Sequence, residues 1–458
     1  MSLLTIHRNI QRDRAARGYL LIAALSGAAL GLSTVASSAA DFGYAGDCCA
    51  DLEERVAELE ATTARKGNRK VSLTVSGHIS QAVLFWDDGV EENVYVVGNA
   101  NDSYNQSNFQ FNGEAEISAD LTAGFQFTIR VNNALSAEVN QFDDDASEEI
   151  LSLWEAYWYI ASKRWGQLSV GEASRASDGA PESDLSKTRV AAFSGVQGTA
   201  GGFFLRRDDR ALSSVIWGDL IDFFNGDTGN LVRYDTPTFM GFALAATYGE
   251  DDIWDVGATF EGERGPFEVQ GAIAYTQSTD ENGLDGGGGE IDNSIVVGSL
   301  AVLHKPSGLN ALVAAGHQTF DQQVVASDGV TLTPRDAKYI YTKLGWIAEW
   351  SSLGSTAFYT EYSYFKDFAP ADLDGAAVAT VAAGGVCATP GNCRISASEA
   401  QAWGLGVVQW IDPAEMQIYL GYRNFKADLD LVDSTGTNEP SEGLKDFQAV
   451  KLGAIIAF

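Results

Sequence analysis

From residue 71 to Phe458 the sequence falls into sixteen segments, and the connections between them are mostly short and long by turns. The segments are 71–86, 107–120, 124–134, 150–162, 166–173, 230–236, 240–250 and 253–262, then 266–278, 292–304, 308–320, 336–350, 354–368, 396–411, 415–427 and the terminal stretch 444–458. Within them apolar and polar residues alternate with period two, which argues strand and not helix. Seven connections are tight, around 121–123, 163–165, 237–239, 263–265, 305–307, 351–353 and 412–414. Between them lie polar, acid-rich connections at 87–106, 135–149, 173–229, 279–291, 321–335, 369–395 and 428–443, with 251–252 the exception. An even strand number with short turns at one end and long loops at the other predicts an all-β fold, a closed 16-stranded antiparallel transmembrane β-barrel.

The two faces of each segment agree. In 124–134, Phe125, Phe127, Ile129 and Val131 oppose Gln126, Thr128, Arg130 and Asn132. In 107–120, Phe109, Phe111, Ala115 and Ile117 oppose Gln110, Asn112, Glu114, Glu116 and Ser118. So many polar groups cannot fill a dry core, since each buried charge would need a partner. They can line water, and a barrel of this size holds an aqueous channel. Trp86, Trp165, Trp254, Trp350 and Trp410 lie near segment ends, as an interfacial girdle requires. Phe458 ends a strand whose Val450, Leu452, Ala454 and Ile456 share its face, which places its ring at the lipid boundary and its carboxylate in water. That strand is expected to pair with 71–86 and leave no open edge.

The first 40 residues read as a removable export signal. Arg8, Arg12, Arg14 and Arg17 precede the apolar run "GYLLIAALSGAALGL" (18–32), and "SSAA" (37–40) offers small residues for cleavage. The run is too short to span a bilayer comfortably, and no later stretch approaches 18 continuous apolar residues. Removing 1–40 leaves 26 basic and 61 acidic residues, a formal charge of −35. That balance argues against nucleic acid, whose phosphates need clustered Lys and Arg. In 41–70, Leu52, Val56, Leu59 and Thr63 fall at 4-3-4 spacing, the seam of a short periplasmic helix that would be stable only against partner segments; a partly ordered linker is the alternative. Cys48 and Cys49 are adjacent. Cys387 and Cys393 flank "ATPGN" and are a candidate loop disulfide, two free thiols being the alternative.

Four stretches, "DLEERVAELEATTARKGNRKVSLTVSGHI" (51–79), "ADLTAGFQFTIRV" (119–131), "WGQLSVGEAS" (165–174) and "VKLGAIIAF" (450–458), resemble the outer-membrane porins of alphaproteobacteria. The resemblance spans about residue 47 to the end. It implies a homotrimer of barrels in the outer membrane for passive diffusion of small hydrophilic solutes and ions. It also implies a third long loop folded into the lumen and a terminal Phe458 read by barrel-assembly machinery. It assigns no role to Cys48–Cys49 and does not supply selectivity.

The longest connection, 173–229, is the candidate for that loop. It carries Asp178, Glu182, Asp184, Lys187 and Arg189, then Arg206, Arg207, Asp208, Asp209 and Arg210. Charges of both signs in sequence suit a pore constriction with a transverse field, and a solvated external loop is the alternative. By alternation Arg130, Arg233, Lys343 and Arg423 face inward as a pore wall, with Glu114, Glu116, Glu155 and Glu361. An enzyme is not expected. His78, His304 and His317 are the histidines left after signal removal, and no nucleophile–base–orienter set accompanies them. No cofactor or metal is expected either, because the acidic runs 141–149 and 285–292 fit no defined calcium spacing. The reading is a general diffusion porin. A substrate-specific channel and an adhesive surface barrel with a plugged lumen are the rivals. Eight acidic against six basic residues in 173–229 predict a weak preference for cations.

Overall fold

The computed structural model describes residues 71–99, 105–146, 150–249, 252–279, 293–320, 324–325, 331–332, 335–371, 393–433, 438–439 and 443–458. In chain order the strands are β1 (Ser72–Asp87), β2 (Glu92–Gly98), β3 (Asn108–Glu116), β4 (Leu121–Val131), β5 (Leu151–Ser162) and β6 (Gly166–Ser174). A hairpin of β7 (Phe204–Arg206) and β8 (Leu212–Ile216) follows. Then come β9 (Thr228–Asp235), β10 (Phe242–Gly249), β11 (Ile253–Arg264), β12 (Phe267–Ser278), β13 (Asn293–His304) and β14 (Leu309–Phe320). A ribbon of β15 (Val324–Val325) and β16 (Thr331–Leu332) precedes β17 (Ala337–Ser351), β18 (Gly354–Lys366), β19 (Cys393–Ile411), β20 (Met416–Asp433), β21 (Asn438–Glu439) and β22 (Phe447–Ala457).

Eighteen of these form one sheet, closed where β22 pairs with β1 from Asp87–Gln448 to His78–Ala457. β2 and β3 pair with the upper and lower halves of β1 and so make one stave, and β21 only extends the top of β20. The barrel is therefore sixteen-stranded and antiparallel. The last residue belongs to the seam. Phe458 donates its amide to the Gly77 carbonyl at 3.0 Å, and Gly77 donates back at 3.2 Å.

Alternation sets the faces. Phe125, Trp158, Leu300, Leu344 and Leu405 are exposed on the outside, while their neighbours Thr128, Lys343 and Ala402 are buried inside. Such an outer band suits a lipid surround, and the hydrogen-bonded ladder leaves no backbone edge in it. Phe458 lies outside, its ring 5.9 Å from that of Phe109. Trp165, Trp254 and Trp350 are exposed near strand ends, as a girdle requires. Trp86 and Trp410 are not in it. Both are on even, inward positions: Trp86 is 2% exposed and packs on Phe203, and Trp410 donates its indole N–H to the Lys187 carbonyl. Nearness to a strand end fixes depth but not face.

The connection expected over 87–106 is also shorter than its sequence suggested. Asp88 caps a tight turn, accepting from the amides of Val90 and Glu91 at 3.0 and 2.8 Å, and Gly89 takes the left-handed conformation (φ 81°). β2 starts at the next residue. The signal at 1–40, the segment 41–70, Cys48, Cys49, Cys387 and the side chain of Cys393 lie outside the described residues.

Candidate functional site

The long segment between β6 and β9 leaves the wall at Arg175 and returns at Thr228. Its length exceeds what a surface turn needs, and its backbone polar groups must find partners wherever it goes. It finds them on inward-facing side chains around more than half of the barrel. Ser177 donates to Asp255 of β11 (3.1 Å), and the Asp184 amide donates to Gln270 of β12 (2.9 Å). Ser299 of β13 donates to the Ala180 carbonyl and accepts the Ser183 amide. Lys187 donates to Ser355 of β18 at 3.1 Å.

Two ion pairs anchor its middle. Lys343 of β17 donates to Asp184 at 2.6 Å and to the Ala192 carbonyl at 2.8 Å, with side chains 0% and 5% exposed. Arg423 of β20 pairs with Glu361 of β18 at 2.6 Å and reaches the Thr199 hydroxyl at 2.6 Å and the Val196 carbonyl at 3.3 Å. Tyr341 donates to the other oxygen of Glu361. A third pair holds the hairpin: Arg206 bonds Asp88, the cap of the β1–β2 turn, at 2.7 Å and Glu91 at 2.9 Å.

Between the anchors the segment is apolar and so is the wall beneath it. Phe203 stacks among Trp86, Tyr95 and Phe447. Trp217 packs on Phe425, and Phe224 on Tyr339 and Phe368. The buried cluster runs through Val190, Val196, Leu205, Val215 and Leu220 to Leu84, Tyr341 and Ala449. Most of this half of the interior is a packed core, with a smaller polar cavity of about 450 Å³ between Gly218, Asp222 and Gln318.

The other half is open. A cavity of about 890 Å³ follows the inward faces of β1, β3, β4, β5, β6 and β9. Its charged lining is Glu155, Arg233 and Asp235, among glutamine, serine and threonine side chains. Arg233 is held by the Asp235 carboxylate at 2.9–3.0 Å and by the Ser174 and Arg175 carbonyls at 2.9 and 3.0 Å. Glu155 accepts from Gln126 at 2.5 Å and from Thr128 at 3.1 Å. Arg130 lies over the Trp154 ring, 3.5 Å from its centroid.

The wall residues singled out from the sequence thus fall into three groups. Arg130, Glu155 and Arg233 border or line the open side. Lys343, Arg423 and Glu361 face inward, but they are buried beneath the segment and hold it, so they do not line the open wall. Glu114 and Glu116 are exposed towards the short-turn end, where Glu114 accepts from the Tyr159 hydroxyl. Within the segment, Asp178 accepts from Asn225 (2.7 Å), Glu182 pairs with Arg189 (2.5 Å), and Asp184 and Arg206 are anchors. Arg207 pairs with Asp209 at the hairpin tip, where the Asp208 amide donates to the Gly443 carbonyl.

Trp154, Tyr157 and Asp235 were not singled out. Asp235 was legible: two residues beyond Arg233, it must share its face. Trp154 was hidden by a bulge opposite Thr128 and Ile129, which brings both Trp154 and Glu155 inward. The hint was phase. Leu151 and Leu153 are outside, yet strict alternation puts them with Tyr157 and Tyr159.

A closed sixteen-strand barrel with an apolar outer band, and an interior shared between an inserted segment and a polar cavity, is an outer-membrane channel protein. The sequence matches the family model described as Gram-negative porin over residues 22–430, and the chain belongs to that family. No curated protein matches. Among solved structures, the in-vitro folded OmpT outer membrane protein of Vibrio cholerae is 11% identical, with 86% of this chain and 99% of that one covered and a TM-score of 0.49. The anion-selective porin from Comamonas acidovorans is 14% identical, with 85% and 100% covered and a TM-score of 0.49. OmpF of Salmonella typhi is 15% identical, with 86% and 99% covered and a TM-score of 0.48.

Proposed function

We propose that solutes cross this porin along the β1–β9 side of the lumen, past Arg130, Glu155 and Arg233, while the segment 175–227 fills the opposite side. The polar cavity of about 890 Å³ carries this reading. The path passes small hydrophilic solutes and ions without chemistry, so the protein works as a diffusion channel and not as an enzyme. Glu155 and Asp235 share this wall with Arg233 and Arg130; Arg233 is paired with Asp235 and Arg130 sits over the Trp154 ring, so Glu155 supports a weak preference for cations. Field lines from the acidic outer loops are screened within about 8–10 Å at physiological salt, so the lining decides. In this reading Lys187, Arg189, Asp178 and Glu182 border the constriction, and Asp184, Arg206, Lys343 and Arg423 keep the segment seated. Residues 1–40 serve as the export signal, and the working unit is a homotrimer.

Conductance in a planar bilayer under a salt gradient tests this. An ohmic conductance that rises with bulk salt is expected, with a reversal potential of the cation-selective sign. Glu155→Gln reduces that potential, because it removes one of the two acidic groups. A sealed barrel would favour the surface-protein reading instead.

A further inference from the structure

The open wall offers more than a wet surface. Its two arginines are already engaged: Arg233 spends its donors on Asp235 and two carbonyls, and Arg130 sits over the Trp154 ring, 3.5 Å from its centroid. A passing anion therefore meets no ready guanidinium. What remains on this face is aromatic and amide. Trp154, Tyr157 and Tyr159 follow one another along the inward face of β5, the two tyrosine rings 6.5 Å apart. Tyr157 is half-buried and donates its hydroxyl to Gln126 at 3.1 Å, which fixes the ring beside the cavity. Gln126, Gln110, Gln167 and Ser169 border the same space.

Planar amides and a carboxylate beside an aromatic face suit one ligand chemistry. A ring bearing adjacent hydroxyls can pair them with amide and carboxylate oxygens and lay its C–H face on the arene. An organic anion gains little from such a wall, whose arginines are engaged, and an apolar solute leaves the amides unpaired. We propose that the β4–β6 wall of the lumen, centred on Tyr157 and Gln126, is a weak binding site for uncharged sugars. The proposal rests on the solute path given above.

The test is single-channel current in a planar bilayer with maltose added to both sides. A polyethylene glycol of matched hydrodynamic radius is the control. Maltose is expected to lower the current along a saturating curve, and the glycol to lower it only in step with bulk conductivity. Tyr157→Ala raises the half-saturating maltose concentration about three- to tenfold, and Tyr157→Phe keeps it within about twofold. Each variant is read against its own sugar-free current. Tyr157→Leu, which removes the ring but keeps an apolar side chain, replaces the alanine variant if that one does not fold. Identical, unsaturated curves for maltose and glycol would overturn the sugar site and leave the channel intact. So would a half-saturating concentration left at the wild-type value by both Tyr157→Ala and Tyr157→Leu. A wild-type barrel that passes no current would overturn the solute path and the site with it.

Discussion

Lys343 shows what a charge inside this barrel is for. Its side chain is fully buried, and its ammonium is used by Asp184 and the Ala192 carbonyl. Taking both ions out of water is expensive, and the pair is retained because it joins the wall to the inserted segment. Removing one partner strands the other. Lys343→Met is expected to cost about 3–5 kcal/mol and to make the channel current noisier, whereas Lys343→Met with Asp184→Leu recovers most of the stability. Denaturant unfolding in detergent micelles, run beside current recordings, checks both variants. Gly124 illustrates the same crowding with no charge involved: any side chain there would run into the Tyr159 ring. Alternation marked Lys343, Arg423 and Arg233 as inward alike. What separates anchor from lining is which of them the segment covers, and that depends on contacts far away in the chain.

Among the elements, strands were the legible part. All sixteen staves stand where period two placed them, because lipid outside and polar groups inside force one register on each strand. The β1–β2 hairpin escaped because its turn is rich in acids and reads as loop, although Asp88 and Gly89 have the right chemistry for a tight turn. The path of 175–227 was not legible, since a long connection has many routes and its aromatic anchors mark none of them. Its hairpin can nevertheless be excised, at the cost of the Arg206–Asp88 pair. The Gly218 amide donates to the Gly201 carbonyl at 2.8 Å, so the two ends already touch. Joining Gly201 to Gly218 should leave the barrel folded and raise its conductance, because Trp86, Tyr95 and Phe447 lose the cover of Phe203. An unchanged conductance would mean that the hairpin lies off the solute path.

On the scale of the whole molecule, the interior is divided lengthwise into a packed arc and a wet arc. The packed arc stiffens the barrel as a domain core would, and the wet arc stays free of apolar filling. The sequence announced a polar interior, and that is half of the answer. The dry half is built from inward residues such as Leu84, Tyr341, Phe425 and Phe447, which interrupt the polar phase of their strands. Closure is a property of the whole as well. Deleting Phe458 removes two backbone hydrogen bonds to Gly77 and the ring contact with Phe109. Refolding into micelles, followed by the change in gel mobility between folded and heated protein, should be slower for that variant. Equal rates would mean that the seam zips from its other end.

That seam also sets a clock. The pairing of His78 with Ala457 spans nearly the whole barrel sequence, so joining its ends costs about 5 kcal/mol of chain entropy before any lateral bond repays it. A ribosome releases the last strand after all the others, and until then both β1 and β20 carry bare edges. The chain therefore cannot mature piecemeal. It must be kept unfinished through its whole journey, and it becomes a barrel only when β22 pairs with β1.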